Sequence, residues 1–173
     1  MNPDKQSPQY SVRSICLFKT NRLEEALKSI STAISKEANR MDYHLIKAAI
    51  YLMRNEQTEF VNSLRASRDV SENVNARSIG GSIYTNFYKQ IIQKLTEVVR
   101  LLDNPLNEEA SGVSLKSLFE KYLFVMEIDE LNIKVAGEFV KELESIIAKL
   151  PPKHLTDINH NLLTFNEYMS LYR

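Results

Sequence analysis

The chain has no tryptophan, one cysteine, four glycines and five prolines among its 173 residues, and its formal net charge is zero. Each scarcity excludes something. A single cysteine, Cys16, rules out an internal disulfide; beside Ile15, Leu17 and Phe18 it reads as a small hydrophobe filling a core. Few glycines and prolines leave little material for tight turns, which suits helices joined by short connections. The charge is balanced locally as well as globally. Residues 1–70 carry 11 basic and 8 acidic side chains, and residues 71–173 carry 11 and 14, an asymmetry too mild for a nucleic-acid-binding surface. No apolar run approaches the roughly 20 residues that span a bilayer. The N-terminus is polar and shows no signal peptide, so the expectation is a cytoplasmic or nuclear protein that meets no membrane.

What is present is helical periodicity. Leu23, Ala26, Leu27, Ile30, Ala33 and Ile34 recur at helical spacing, with Glu24, Glu25 and Lys28 mostly opposite. Asn21 followed three residues later by Glu24 fits a capping box. Read along the chain, residues 1–10 are a polar, flexible tail and 11–173 a single helical domain. Within it, 11–70 form two hairpins, 71–81 a linker rich in Ser, Asn and Gly, and 82–173 the C-terminal helices. Helices are expected near 11–19, 21–36, 41–54, 56–69, 82–102, 115–126, 132–150 and 155–172, the seventh stopped by Pro151 and Pro152. No strand pattern is found. The expected fold is all-α, about eight antiparallel helices stacked as helical hairpins.

The pattern returns with an interval. From Asn21 to Asn55 is 34 residues. The same shift carries Glu25 onto Glu59, Leu27 onto Val61, Ser29 onto Ser63 and Ile30 onto Leu64; upstream it carries Val12 onto Ile46, Ile15 onto Ala49 and Phe18 onto Leu52. That period, with Glu25-Ala26, Ile30 and Ala33, resembles the tetratricopeptide (TPR) repeat. The resemblance implies a non-enzymatic adaptor that holds a peptide or helix of another protein. In such arrays the first helix of each hairpin lines the concave face, which here implies Lys19, Lys47, Tyr51 and Arg54 as partner-binding residues and an acidic or C-terminal carboxylate ligand.

The helix layout is also similar to the 14-3-3 family, on Arg22-Leu23-Glu24-Glu25, on Tyr88 with Ile92 and Leu95, and on Pro152-Lys153-His154 followed by Leu162 and Tyr168. This second resemblance implies a phosphopeptide cup and a homodimer formed through the N-terminal helices. The family's phosphate-binding side chains, however, align with Tyr51, Gln57, Leu123-Phe124 and Leu163. A phosphate dianion needs fixed guanidinium or ammonium donors, so the alternative is a divergent, truncated member with an altered or lost site.

Chemistry is sparse. His154 and His160 are not one helical turn apart, and no cysteine pair joins them, so no metal is expected. Cys16 with His44 lacks a third group for nucleophilic catalysis. Arg77 to Ser82 lacks the P-loop's spacing and its lysine. Glu108-Glu109 and Asp129-Glu130 read as solvated loop pairs. No catalytic residue and no cofactor is expected, and the partner is another protein or peptide rather than a nucleic acid or a membrane.

Overall fold

The computed structural model describes residues 7–73, 83–102, 105–107, 112–123 and 133–150. Among the described residues the protein is all-α, seven α-helices and one π-helical turn with no strand. They are α1 (Ser7–Lys19), α2 (Leu23–Lys36), α3 (Met41–Met53), α4 (Gln57–Asn73), α5 (Ile83–Leu101), α6 (Leu115–Leu118) with the π-turn Phe119–Leu123, and α7 (Ile133–Lys149). Sequential helices pack against one another, α1 on α2, α3 on α4 and α5 on α7 most extensively, with α3 at the centre. The eighth expected helix, at 155–172, lies outside the described residues, as does most of the expected linker. No described helix is long and apolar enough to cross a membrane.

α1 begins a turn earlier than the polar composition of residues 1–10 suggests. Ser7 is buried and bonded to the Glu37 carboxylate and, at 3.0 Å, to the Tyr43 hydroxyl. Arg40 completes this clasp, pairing with Asp42 at 3.0 and 2.8 Å and lying 4.5 Å over the Tyr43 ring. The start of α1 is thereby tied to the α2–α3 turn.

The buried face of α1 differs from the expected one. Val12 is 55% exposed and Cys16 is exposed, while Ser7, Ser11 and Ser14 are buried. Cys16 is therefore not a core filler. Close helix approach explains the exchange. Ser14 Oγ donates to Ala26 O at 2.8 Å, Ser29 Oγ to Tyr10 O at 2.8 Å, and Ser67 Oγ to Met41 O at 2.8 Å. A small hydroxyl that finds a carbonyl on the neighbouring helix loses little by burial, and the fully buried Ala26, Ala33, Ala48 and Ala49 leave room for the backbones to meet.

The hairpin turns match each other bond for bond. In the first, Thr20 N–H donates to Cys16 O, Asn21 N–H to Phe18 O and Arg22 N–H to Leu17 O, at 3.2, 3.0 and 2.8 Å. In the second, Arg54 N–H donates to Ile50 O, Asn55 N–H to Leu52 O and Glu56 N–H to Tyr51 O, at 3.1, 3.1 and 3.0 Å. Asn21 and Asn55 sit at φ 61° and 60°, the left-handed region that asparagine tolerates better than most residues. Asn21 is thus a turn residue and does not cap α2. The N-cap position is Arg22, which makes no side-chain capping bond and instead pairs with Glu25 at 3.0 and 2.5 Å.

One continuous core runs through both halves. α3 buries Tyr43, Leu45, Ile46, Ala48, Ala49, Ile50 and Leu52. Phe60 of α4 meets Phe119 of the π-turn edge-on, with ring centroids 6.2 Å apart. Ile91, Ile92, Leu95 and Val98 of α5 and Ala136, Phe139 and Leu143 of α7 form the other end.

Candidate interaction surface

The sequence nominates Lys19, Lys47, Tyr51 and Arg54. Lys47 and Tyr51 of α3 and Arg54 at its C-cap are half-buried and follow one strip of that helix. Lys47 Nζ lies 6.0 Å from the Tyr51 ring centroid, and Arg54 pairs with Glu56 at 3.3 Å. Lys19 is exposed at the far end of α1. The strip is not basic in its setting. Burial, then Glu59 and Glu56, push the Tyr51 hydroxyl above its ordinary pKa, while Arg54 pulls it down. Two acids therefore face Lys47 and Arg54, and Glu56 Oε2 is buried without a hydrogen-bond partner. The unsatisfied atom of this strip is an acceptor, and the two acids offset the charge of Lys47 and Arg54, so an acidic ligand gains less there. α3 also does not line an open concavity, because α5 and α6 pack against it as well as α1, α2 and α4. Lys116 of α6 reaches Asn55 at 2.6 Å across that side.

A better-formed surface lies between α4 and α5. There a furrow of about 290 Å³ has an apolar floor of Val61, Leu64 and Val99, flanked by Arg65, Arg68, Arg100 and Glu97. α4 supplies this wall because Phe60, Ser63 and Ser67 are buried, Phe60 against Phe119 and Ser67 against Met41 of α3, while Val61, Arg65 and Arg68 line the furrow and the almost fully buried Leu64 lies between the two stripes. Arg65 and Arg68 are one helical turn apart on the same helix. Arg68 approaches Asp69 and Glu72 only at 3.9 Å, and its Nε is buried without a hydrogen-bond partner. On the α5 wall, Arg100 holds Glu97 at 3.3 and 2.5 Å. The polarity is the reverse of the Tyr51 strip: arginines flank an apolar floor, and the unsatisfied atom is a donor, Arg68 Nε.

A second cleft, of about 280 Å³, lies between the π-turn and α7, where π-helical turns often serve function. Tyr122 stacks on Phe139 with centroids 4.7 Å apart and bonds to the Glu142 carboxylate, which Lys121 meets at 3.5 Å. The hydrogen bond to Tyr122 and the charge of Glu142 raise the pKa of Lys121, and burial followed by Glu142 raises that of Tyr122. The lysine stays an ammonium and the tyrosine stays protonated, so neither is poised as a base. Cys16 and His44 are not a pair either. The cysteine faces outward from α1, whereas His44 Nε2 bonds to Ala38 O at 3.0 Å across the α2–α3 turn. Among the described residues no three His, Cys, Asp or Glu side chains gather as metal ligands would. His154, His160, Gly80, Gly81, Glu108, Glu109, Asp129 and Glu130 lie outside the described residues.

The arginine furrow escapes a reading of the sequence because it belongs to no single helix. Arg65 and Arg68 look like ordinary solvated charges until the antiparallel register brings Arg100 opposite them. A local signal does exist, two arginines one turn apart next to the apolar pair Val61 and Leu64. No family model, curated protein or solved structure matches the chain.

Proposed function

We propose that this protein is a non-enzymatic interaction module, a TPR-like array of helical hairpins that seats a peptide or helix of another protein in the furrow between α4 and α5. One observation carries the reading: an apolar floor bounded on α4 by Arg65 and Arg68, whose side chains meet no acid closer than 3.9 Å among the described residues. Grooves of this kind take the apolar stripe of an amphipathic helix and use their charged edges to set its register. The TPR-like part is supported by the recurrence, after 34 residues, of the same turn hydrogen bonds and the same left-handed asparagine. The strip of Lys47, Tyr51 and Arg54, with Lys19 beyond it, is a secondary contact area on this reading.

The second reading, a 14-3-3-like domain with an altered phosphate site, draws on the same arginines, since guanidinium forks are the usual partners of phosphate. The two are separated by a peptide array presented in phosphorylated and unphosphorylated copies. Equal binding of both copies, lost in Val61→Asp, supports the adaptor. Binding confined to phosphorylated copies supports the second reading. Binding unchanged by Val61→Asp but lost on Lys47→Ala with Arg54→Ala moves the site to the α3 strip.

A further inference from the structure

The geometry points to a defined class of partner for the α4–α5 furrow: an acidic amphipathic helix that lays an apolar stripe on Val61, Leu64 and Val99 and aligns carboxylates one turn apart with Arg65 and Arg68. This rests on reading the furrow as a docking site and adds the chemistry of what docks.

Three features carry it. First, among the described residues that line it the furrow carries three arginines against one acid, Glu97, with Asp69 and Glu72 beside Arg68 but outside the lining. Second, the donors are not used up internally. Arg65 has no side-chain partner among the described residues, and Arg68 meets its neighbouring acids only at 3.9 Å; its Nε is buried, so a partner reaches only its terminal nitrogens. Third, the spacing is helical. Arg65 and Arg68 stand one turn apart on α4, so a helix lying along the furrow offers each a carboxylate from its own i and i+3 or i+4 positions. Each guanidinium then meets one monoanion in a fork geometry.

A single phosphate group fits less well. Arg100 lies on the opposite wall and already shares its fork with Glu97 at 3.3 and 2.5 Å. That carboxylate also repels a dianion at the same mouth. The Tyr51 strip, with its unsatisfied Glu56 oxygen, is unsuited to the same partner.

The test uses the full chain and a fluorescein-labelled designed helix of about 18 residues, with a leucine stripe and glutamate flanks, read by anisotropy. A copy carrying lysine in place of glutamate is the comparison. The acidic helix is expected to bind the native protein about ten-fold more tightly than the lysine copy, two partly exposed ion pairs being worth about that much. Arg65→Glu with Arg68→Glu should reverse the preference, an outcome that mere loss of folding cannot give. If both copies bind equally and Val61→Asp abolishes binding, the acidic class is wrong while the docking furrow stands. If neither copy binds, the furrow reading falls with it. A phosphoserine peptide displacing the acidic helix at equal concentration would overturn the carboxylate assignment. So would a dimer, seen by sedimentation, that the two arginine reversals disperse without any peptide binding.

Discussion

At the scale of single residues, register decides what each side chain is worth. Ala26 and Phe60 occupy equivalent places after their hairpin turns, and both are fully buried. The alanine lets α1 and α2 close on each other, while the phenylalanine reaches on to Phe119 and joins the two halves of the core. Phe60→Ala removes that bridge and leaves a cavity, so a loss of about 3–5 kcal/mol is expected from urea midpoints. Val12→Ala, at a 55% exposed site, should change stability by no more than about 0.5 kcal/mol. Tyr43 gives a pH signature. Burial raises its pKa, opposed by the bond to Ser7 and by Arg40, and aided by Asp42 and Glu37. The folded protein therefore keeps a proton that the unfolded chain releases. The stability linked to that proton is complete below the ordinary tyrosine value of about 10 and is lost as pH rises beyond it. Tyr43→Phe should flatten part of the alkaline fall in the urea midpoint while lowering the neutral plateau by about 1 kcal/mol through the lost Ser7 bond. An alkaline fall equally steep in the variant would exclude this role.

At the scale of elements, the two hairpin turns are the most regular feature of the chain. Each depends on an asparagine in the left-handed region. Asn21→Ala and Asn55→Ala should each destabilise by about 1 kcal/mol, because a Cβ without a local hydrogen-bonding group is strained there. Asn21→Gly should be close to neutral. Asn55→Gly should fall short of that by a few tenths of a kcal/mol, roughly the worth of one exposed polar contact, because it also drops the bond from Lys116. Two glycine variants of identical stability would mean that the Lys116 contact contributes nothing. These turns also mark what the sequence makes legible. The apolar stripes locate α2 through α5 and α7 to within a few residues, because a helix that buries one face must show it at 3.6-residue spacing. The face that α1 buries is not legible, because its close packing selects Ser7, Ser11 and Ser14 over Val12 and Cys16, and hydrophobicity alone ranks those the other way. Asn21 misleads for a related reason: the same side chain suits an N-cap and a left-handed turn, and only the backbone distinguishes them. Lys47, Tyr51 and Arg54 lie along one strip, and Glu56 and Glu59, from the start of the next helix, stand beside them and offset their charge, which the spacing of the three residues alone does not reveal.

At the scale of the whole molecule, α3 is where the packing converges. It contacts α1, α2, α4, α5 and α6, and its buried side chains span nearly its entire length. Opening α3 to water exposes the interior of both hairpins and the Phe60–Phe119 junction together, so no local fluctuation can release it cheaply. α1 differs. Its outward face carries Gln9, Arg13 and Lys19 beside Pro8, Val12 and Cys16, and its start is held by the Ser7, Glu37 and Tyr43 clasp. Native-state hydrogen exchange should therefore find the α3 amides among the slowest, exchanging only through global unfolding, which for a domain of this size costs about 5–15 kcal/mol. The amides of α1 should open at a lower free energy. Ser7→Ala should lower it further while leaving the α3 amides nearly unchanged, since the clasp secures one end of α1 rather than the centre. If α3 instead exchanged as fast as α1, with α5 and α7 protected separately, the core would be two cooperative units. The Phe60–Phe119 contact would then be a surface between them rather than the middle of one.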